Sequence, residues 1–166
     1  MAVISPTYVS PVLAIVLVVI DAEFVHGVIA GGFDALDTNV FVAAGFNPRS
    51  ASARILTGLR EGRFRLIWNE PTRRETEMIL RRIPRLDWEK AADLFRPEEK
   101  FTGSVDPDAF ALITDPDDRE FAALSAAAKA PLVTNDGHVL AQSRAVGIEA
   151  LTPSAFLAER ANAASW

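Results

Sequence analysis

From Phe33 onward the sequence alternates short apolar runs with segments of helical periodicity, and this alternation constrains the fold more than any other feature. The runs are Phe33–Asp37, Phe64–Trp68, Phe110–Ile113, Pro131–Thr134 and Ile148–Leu151, each of a length suited to a buried strand. Between them, Ser50–Glu61 reads as a helix, with Ala53, Ile55 and Leu59 at workable spacing and Gly62 as a stop. A second helix begins at Asn69, with Pro71 near its start, and runs to about Ile83 before Pro84, with Ile79, Leu80 and Ile83 as its expected core positions. Leu86–Phe95, Asp117–Ala128, Gly137–Ser143 and Pro153–Ala161 complete the helices, and 96–108 reads as a loop. Strands alternating with helices predict an α/β fold with a mostly parallel sheet.

In such sheets ligands bind beyond the carboxyl ends of the strands. Acids recur there: Asp37 after the first run, Glu75 on the helix after the second, Asp115, Asp117 and Asp118 after the third, Asp136 after the fourth. Each has a structural explanation. Asp115 before Pro116 suits a helix N-cap, and Asp136 before Gly137 suits a turn. Together, however, carboxylates at one sheet edge repel one another unless a cation sits among them.

Composition narrows which cation. The 166 residues contain no cysteine and only two histidines, His26 and His138. Thiolate sites and cysteine nucleophiles are excluded, and a histidine-rich zinc site is disfavoured. Oxygen donors suit Mg²⁺ or Mn²⁺, which activate water and neutralise charge in phosphodiester cleavage. The net charge of −5 argues against nucleic-acid binding through overall charge, so any such contact must be local. Val12–Ile20 is apolar but ends at Asp21. It falls short of the roughly 20 residues a spanning helix needs, and no basic residue precedes it as in a secretory signal. A cytoplasmic protein without a membrane role is the expectation.

Four stretches carry a resemblance. "LDTNVFVAA" (Leu36–Ala44), "RRETEMIL" (Arg73–Leu80), "DPDDREFAALSAAAKAPLVTNDGHVL" (Asp115–Leu140) and "LTPSAFL" (Leu151–Leu157) resemble a PIN domain, in order and over about residues 33 to 160. The third stretch is the most specific. The resemblance implies a three-layer α/β/α fold and a metal-dependent nuclease acting on single-stranded RNA, with a ring of three or four acids as its site. It also implies the toxin component of a toxin–antitoxin pair, an antitoxin protein as partner, and a homodimer.

The resemblance also selects among the acids. Asp21 ends an apolar run as Asp37 does, but it is followed by Ala22-Glu23, whereas Asp37 is followed by Thr38-Asn39, the family's usual opening. Thr38 and Asn39 can orient neighbouring carboxylates, and Thr134 and Asn135 are expected to act likewise. Family spacing favours Glu75 over Glu77, which is expected to face solvent near Arg81 at i+4. Asp118 stands three residues before Phe121 as the family's ligand does, and Asp136 is the fourth acid. Asp37, Glu75, Asp118 and Asp136 are thus the expected catalytic and metal-holding residues. Residues 33–166 form the expected nuclease domain, and 1–32 an extension outside the family pattern.

The basic stretch Arg73, Arg74, Arg81, Arg82 and Arg85 can meet RNA phosphates, with Arg73, Arg74 and Arg81 as the named candidates, or form a charged face paired with Glu77 and Asp87. Trp68 and Phe46 can stack on bases or simply pack, and His138 reads as a surface residue. Two other functions compete: a catalytically silent PIN-like module that binds RNA or protein, and another Mg²⁺-dependent phosphate hydrolase. The phosphatase pattern places a second Asp two residues after the first, which "LDTNVF" lacks. Dinucleotide binding is set aside because no G-x-G-x-x-G follows a strand.

Overall fold

The computed structural model describes residues 32–163. The Val12–Ile20 run and Asp21 lie outside the described residues. Strand β1 (Phe33–Leu36) runs through a four-stranded, all-parallel sheet with β2 (Arg65–Leu66), β3 (Leu132–Val133) and β4 (Ala150–Leu151), in the order β2-β1-β3-β4. The register places Phe33 beside Arg65, Leu36 beside Val133, and Val133 beside Leu151. β1 and β3 are therefore neighbours, and the residues that follow them, Asp37 and Thr134, emerge side by side.

Seven α-helices surround the sheet among the described residues: α1 (Thr38–Phe46), α2 (Ala51–Arg60), α3 (Glu70–Arg82), α4 (Glu89–Ala92), α5 (Pro116–Ala128), α6 (Gly137–Gln142) and α7 (Pro153–Ala163). Side chains alternate across a strand, and the core divides accordingly. Leu36 and Val133 join one apolar cluster with Val40, Ile55, Leu80 and Phe156 from α1, α2, α3 and α7. Ala35 and Leu132 join another with Phe121 and Val139 from α5 and α6. The result is the three-layer α/β/α fold expected from the sequence. Among the described residues no helix is long and apolar enough to cross a membrane.

The helix starts follow from local chemistry. Asp37, Ser50, Asn69, Asp115 and Asp136 each accept a backbone N–H of the first turn through the side chain. Asn69 and Thr72 form a reciprocal capping box with Pro71 inside the first turn. Gly62, with φ of 72°, ends the α2 turn in a conformation that L side chains rarely adopt.

Some expectations are corrected. Phe110–Ile113 is not a strand. Pro107–Phe110 forms a 3₁₀ turn, and the Ile113 N–H donates to the Phe110 carbonyl at 2.9 Å. Phe110 and Ile113 are buried while Leu112 is 60% exposed, which is the i, i+3 pattern of a turn and not the alternation of a strand. Asp115 therefore follows a turn. Leu86–Phe95 is helical only over Glu89–Ala92. The rings of Trp88 and Phe95 lie 5.4 Å apart. Seven residues of straight helix would separate their backbones by about 10 Å, so the chain curls to let the rings meet. The 96–108 loop contains a 3₁₀ turn at Pro97–Glu99. On α3 the buried face is Thr72, Thr76 and Leu80, and Ile79 and Ile83 are only partly covered. Threonine can occupy that face because its hydroxyls find partners: Thr76 bonds the Thr72 carbonyl at 2.9 Å, and Thr72 bonds Asn69.

Candidate active site

Asp37 caps α1 directly beyond the carboxyl end of β1 and is 4% exposed. Its Oδ1 accepts the Asn39 N–H at 3.0 Å. Its Oδ2 accepts the Asn39 amide at 2.6 Å and the Thr134 hydroxyl at 2.6 Å. Burial pushes its pKa up from the ordinary aspartate value. The Thr134 and Asn39 donors oppose that rise, and the charge of Asp136 adds to it.

Thr134 stands beyond the end of β3 and is fully buried. Besides donating to Asp37, its hydroxyl accepts the Asn39 amide at 3.0 Å and the Asp136 N–H at 2.9 Å. One donor and two acceptor positions are the full capacity of a hydroxyl, so Thr134 has one arrangement. Asn39 closes the network by accepting the Asn135 N–H at 2.9 Å. Asn135 thus contributes through its backbone. Asp136 caps α6, with Oδ1 accepting the N–H groups of His138 and Val139 at 2.8 and 2.9 Å.

Glu75 reaches the same edge from α3. The Thr38 hydroxyl, at the start of α1, lies 3.2 Å from its Oε1 and 2.9 Å from the buried Thr76 hydroxyl. Burial pushes the Glu75 pKa up to about 7; Thr38 opposes this, and Asp117, Asp37 and Asp118 add to it. Asp118, in the first turn of α5, is likewise raised to about 7 by burial, then by Asp37, Asp136, Asp115 and Asp117. Asp37, Glu75, Asp118 and Asp136 are therefore linked through their charges, and the acids proposed from the sequence are brought to one edge. Asp115 caps α5, accepting the Asp117 N–H at 3.0 Å, as expected.

Among the described residues, no group of three or more acids or histidines is arranged to hold a metal ion as it stands. The donor chemistry nevertheless fits a hard divalent cation. Every candidate ligand is a carboxylate, and their mutual repulsion is the condition that a bound cation relieves.

The surrounding candidates separate by their contacts. Arg73 and Arg81 both pair with Glu77, at 3.4 and 2.8 Å, and Arg81 also pairs with Glu89 at 2.8 Å. Arg74 lies exposed on α3. Trp68 is buried and donates its indole N–H to the Arg96 carbonyl at 2.8 Å, so it packs, whereas Phe46 is 52% exposed. Exposed His138 sits with Nε2 3.0 Å from the Thr114 hydroxyl, tying α6 to the loop before α5.

Sequence reasoning missed Thr76, which lies beside Glu75 on the buried face of α3. Its signal was the i, i+4, i+8 series Thr72, Thr76, Leu80. It also missed Asp34, a 1% exposed acid on β1 that pairs with Arg160 of α7. The family model described as PIN domain matches residues 35–138. No curated protein matches the chain.

Proposed function

The chain belongs to the PIN-domain family, whose members are generally nucleases, and on that premise we propose that it is a Mg²⁺- or Mn²⁺-dependent endoribonuclease hydrolysing single-stranded RNA. The observation that carries the proposal is the convergence of Asp37, Glu75 and Asp118 from β1, α3 and α5 on one charge-coupled edge, with Asp136 beside them. We assign these four acids to the metal-holding and catalytic set. We assign residues 33–166 to the nuclease domain and 1–32 to an added extension.

In this reading the chain's own residues do three things. Thr134 and Asn39 fix the Asp37 carboxylate and occupy both acceptor positions of Oδ2, which leaves one on Oδ1 for a metal. Thr38 holds Glu75 toward that edge. Asp136, the cap of α6, helps hold a second ion or orients the attacking water. When bound, a divalent metal supplies Lewis-acid stabilisation and a water of lowered pKa. No side-chain nucleophile is required.

The biological role that fits is the toxin of a toxin–antitoxin pair, cytoplasmic, dimeric and held silent by a small antitoxin protein. A second reading is a PIN module with a silent site that binds RNA or protein. It draws on the absence, among the described residues, of an acid group already arranged around a metal.

The test is cleavage of a labelled single-stranded RNA with Mg²⁺ or Mn²⁺, comparing wild type, Asp37→Asn and Asp21→Asn. The nuclease reading expects Asp37→Asn alone to abolish cleavage. If no metal supports cleavage, the silent module stands instead.

A further inference from the structure

Helix α3 carries four arginines, and helical geometry together with their partners divides them into two pairs. Arg73, Glu77 and Arg81 follow at i, i+4 and i+8 and share a face. Glu77 pairs with both arginines, and Arg81 also reaches Glu89. Arg73 further lies over the Trp88 ring at 5.1 Å. That face neutralises itself.

The other flank differs. Glu75, Met78 and Arg82 follow at i, i+3 and i+7 and so form one stripe, with Arg74 bordering it a turn before Met78. Arg74 and Arg82 are exposed, and among the described residues neither forms a direct ion pair; the charge of Arg74 acts on Glu70 one turn earlier, but that carboxylate is held by Lys100. Met78 is 44% exposed, one of few large apolar side chains left open among the described residues. Two other cations are engaged elsewhere. Arg119 donates to the carbonyls of Ile113 and Thr114, and Lys100 pairs with Glu70. The stripe starts at a site acid and extends about 10 Å along the helix axis.

We propose that the Glu75–Met78–Arg82 stripe, bordered by Arg74, is the track by which single-stranded nucleic acid runs from the acid edge. This rests on the nuclease reading above. A substrate whose scissile phosphate lies at four acids needs cationic contacts for its neighbouring phosphates, because the chain as a whole is acidic. Arg74 and Arg82 supply them. The thioether of Met78 offers a polarisable apolar surface for a base and reads no sequence. The contrasting role for Arg82 is to complement the carbonyl end of α3, which would act on stability and leave binding untouched.

Fluorescence anisotropy separates these roles. A labelled single-stranded RNA is titrated with the full chain in EDTA over a range of KCl concentrations. Removing two phosphate contacts lowers the slope of log affinity against log salt by about 1.4. Arg74→Gln/Arg82→Gln is expected to show that loss, with affinity weakened on the order of ten-fold at 0.1 M salt. Arg81→Gln is expected to keep the wild-type slope. An unchanged slope in the double variant, or an equal loss in Arg81→Gln, overturns the track. Metal-dependent cleavage by the wild-type chain would then still support the nuclease reading. A wild-type chain that neither binds nor cleaves the RNA overturns both.

Discussion

Asp34→Asn tests whether burial or pairing governs the most enclosed acid in the sheet. Asp34 is 1% exposed on β1, and its Oδ1 accepts from the Arg160 guanidinium. Among the described residues its buried Oδ2 has no hydrogen-bond partner. Burial raises its pKa from 3.8 to about 6, against the lowering effect of Arg160 and with a small further rise from Glu149. A carboxyl that holds its proton more tightly when folded favours the folded state at low pH. That contribution is full below the unfolded value of 3.8 and is lost as pH rises through about 6. A shift of about two units at 1.36 kcal/mol each gives about 3 kcal/mol. Asparagine keeps the shape and does not titrate. The stability of Asp34→Asn relative to wild type is therefore expected to climb by about 2.4 kcal/mol from pH 4 to pH 7, the remainder lying below pH 4, whatever the constant offset between the two proteins.

The assay is urea unfolding of both full-length chains at a series of pH values, taking the difference at each. Glu75 and Asp118 also titrate in this window, but they are present in both proteins and cancel. A flat difference would mean that Asp34 is ordinary in the folded state. A wild type that gains on the variant as pH rises would mean that the Arg160 pair outweighs burial, reversing the sign of the argument.

Two further perturbations address the acid edge. Thr134→Val keeps the volume but removes the hydroxyl that donates to Asp37 and accepts from Asn39 and the Asp136 N–H; it is expected to cost about 2 kcal/mol in urea unfolding. A loss below about 0.5 kcal/mol, the level of an ordinary surface change, would show that the network does not hold Asp37. Mn²⁺ is expected to raise the Tm of the wild-type chain by favouring the folded state, and to raise that of Asp118→Asn much less. Equal rises in a thermal melt would place the metal away from Asp118.

What the sequence made legible, and what it did not, follows from how far each residue must reach for its partner. Asp37, Ser50, Asn69, Asp115 and Asp136 act on backbone two or three residues ahead, so their positions at helix starts could be read locally. The turn at Phe110–Ile113 is equally local, but four apolar residues in a row do not distinguish alternate burial from i, i+3 burial; Pro107 was the only sign of a helical turn. Thr134 bonds Asp37 across 97 residues. Thr134 was singled out only because T-x-D after a strand belongs to the stretch that carries the resemblance, and its pairing with Asp37 was not legible. Asp34 and Arg160 are 126 residues apart and belong to no motif. In sequence each is an ordinary charge, one in a strand and one on a helix. Thr76 was missed for a related reason. A threonine at a helical core position looks like an interruption of the apolar stripe until its partners, the Thr72 carbonyl and the Thr38 hydroxyl, are both in place. Because Thr38 also touches Glu75, that polar break in the core stripe is where α1 and α3 are joined behind the acid edge.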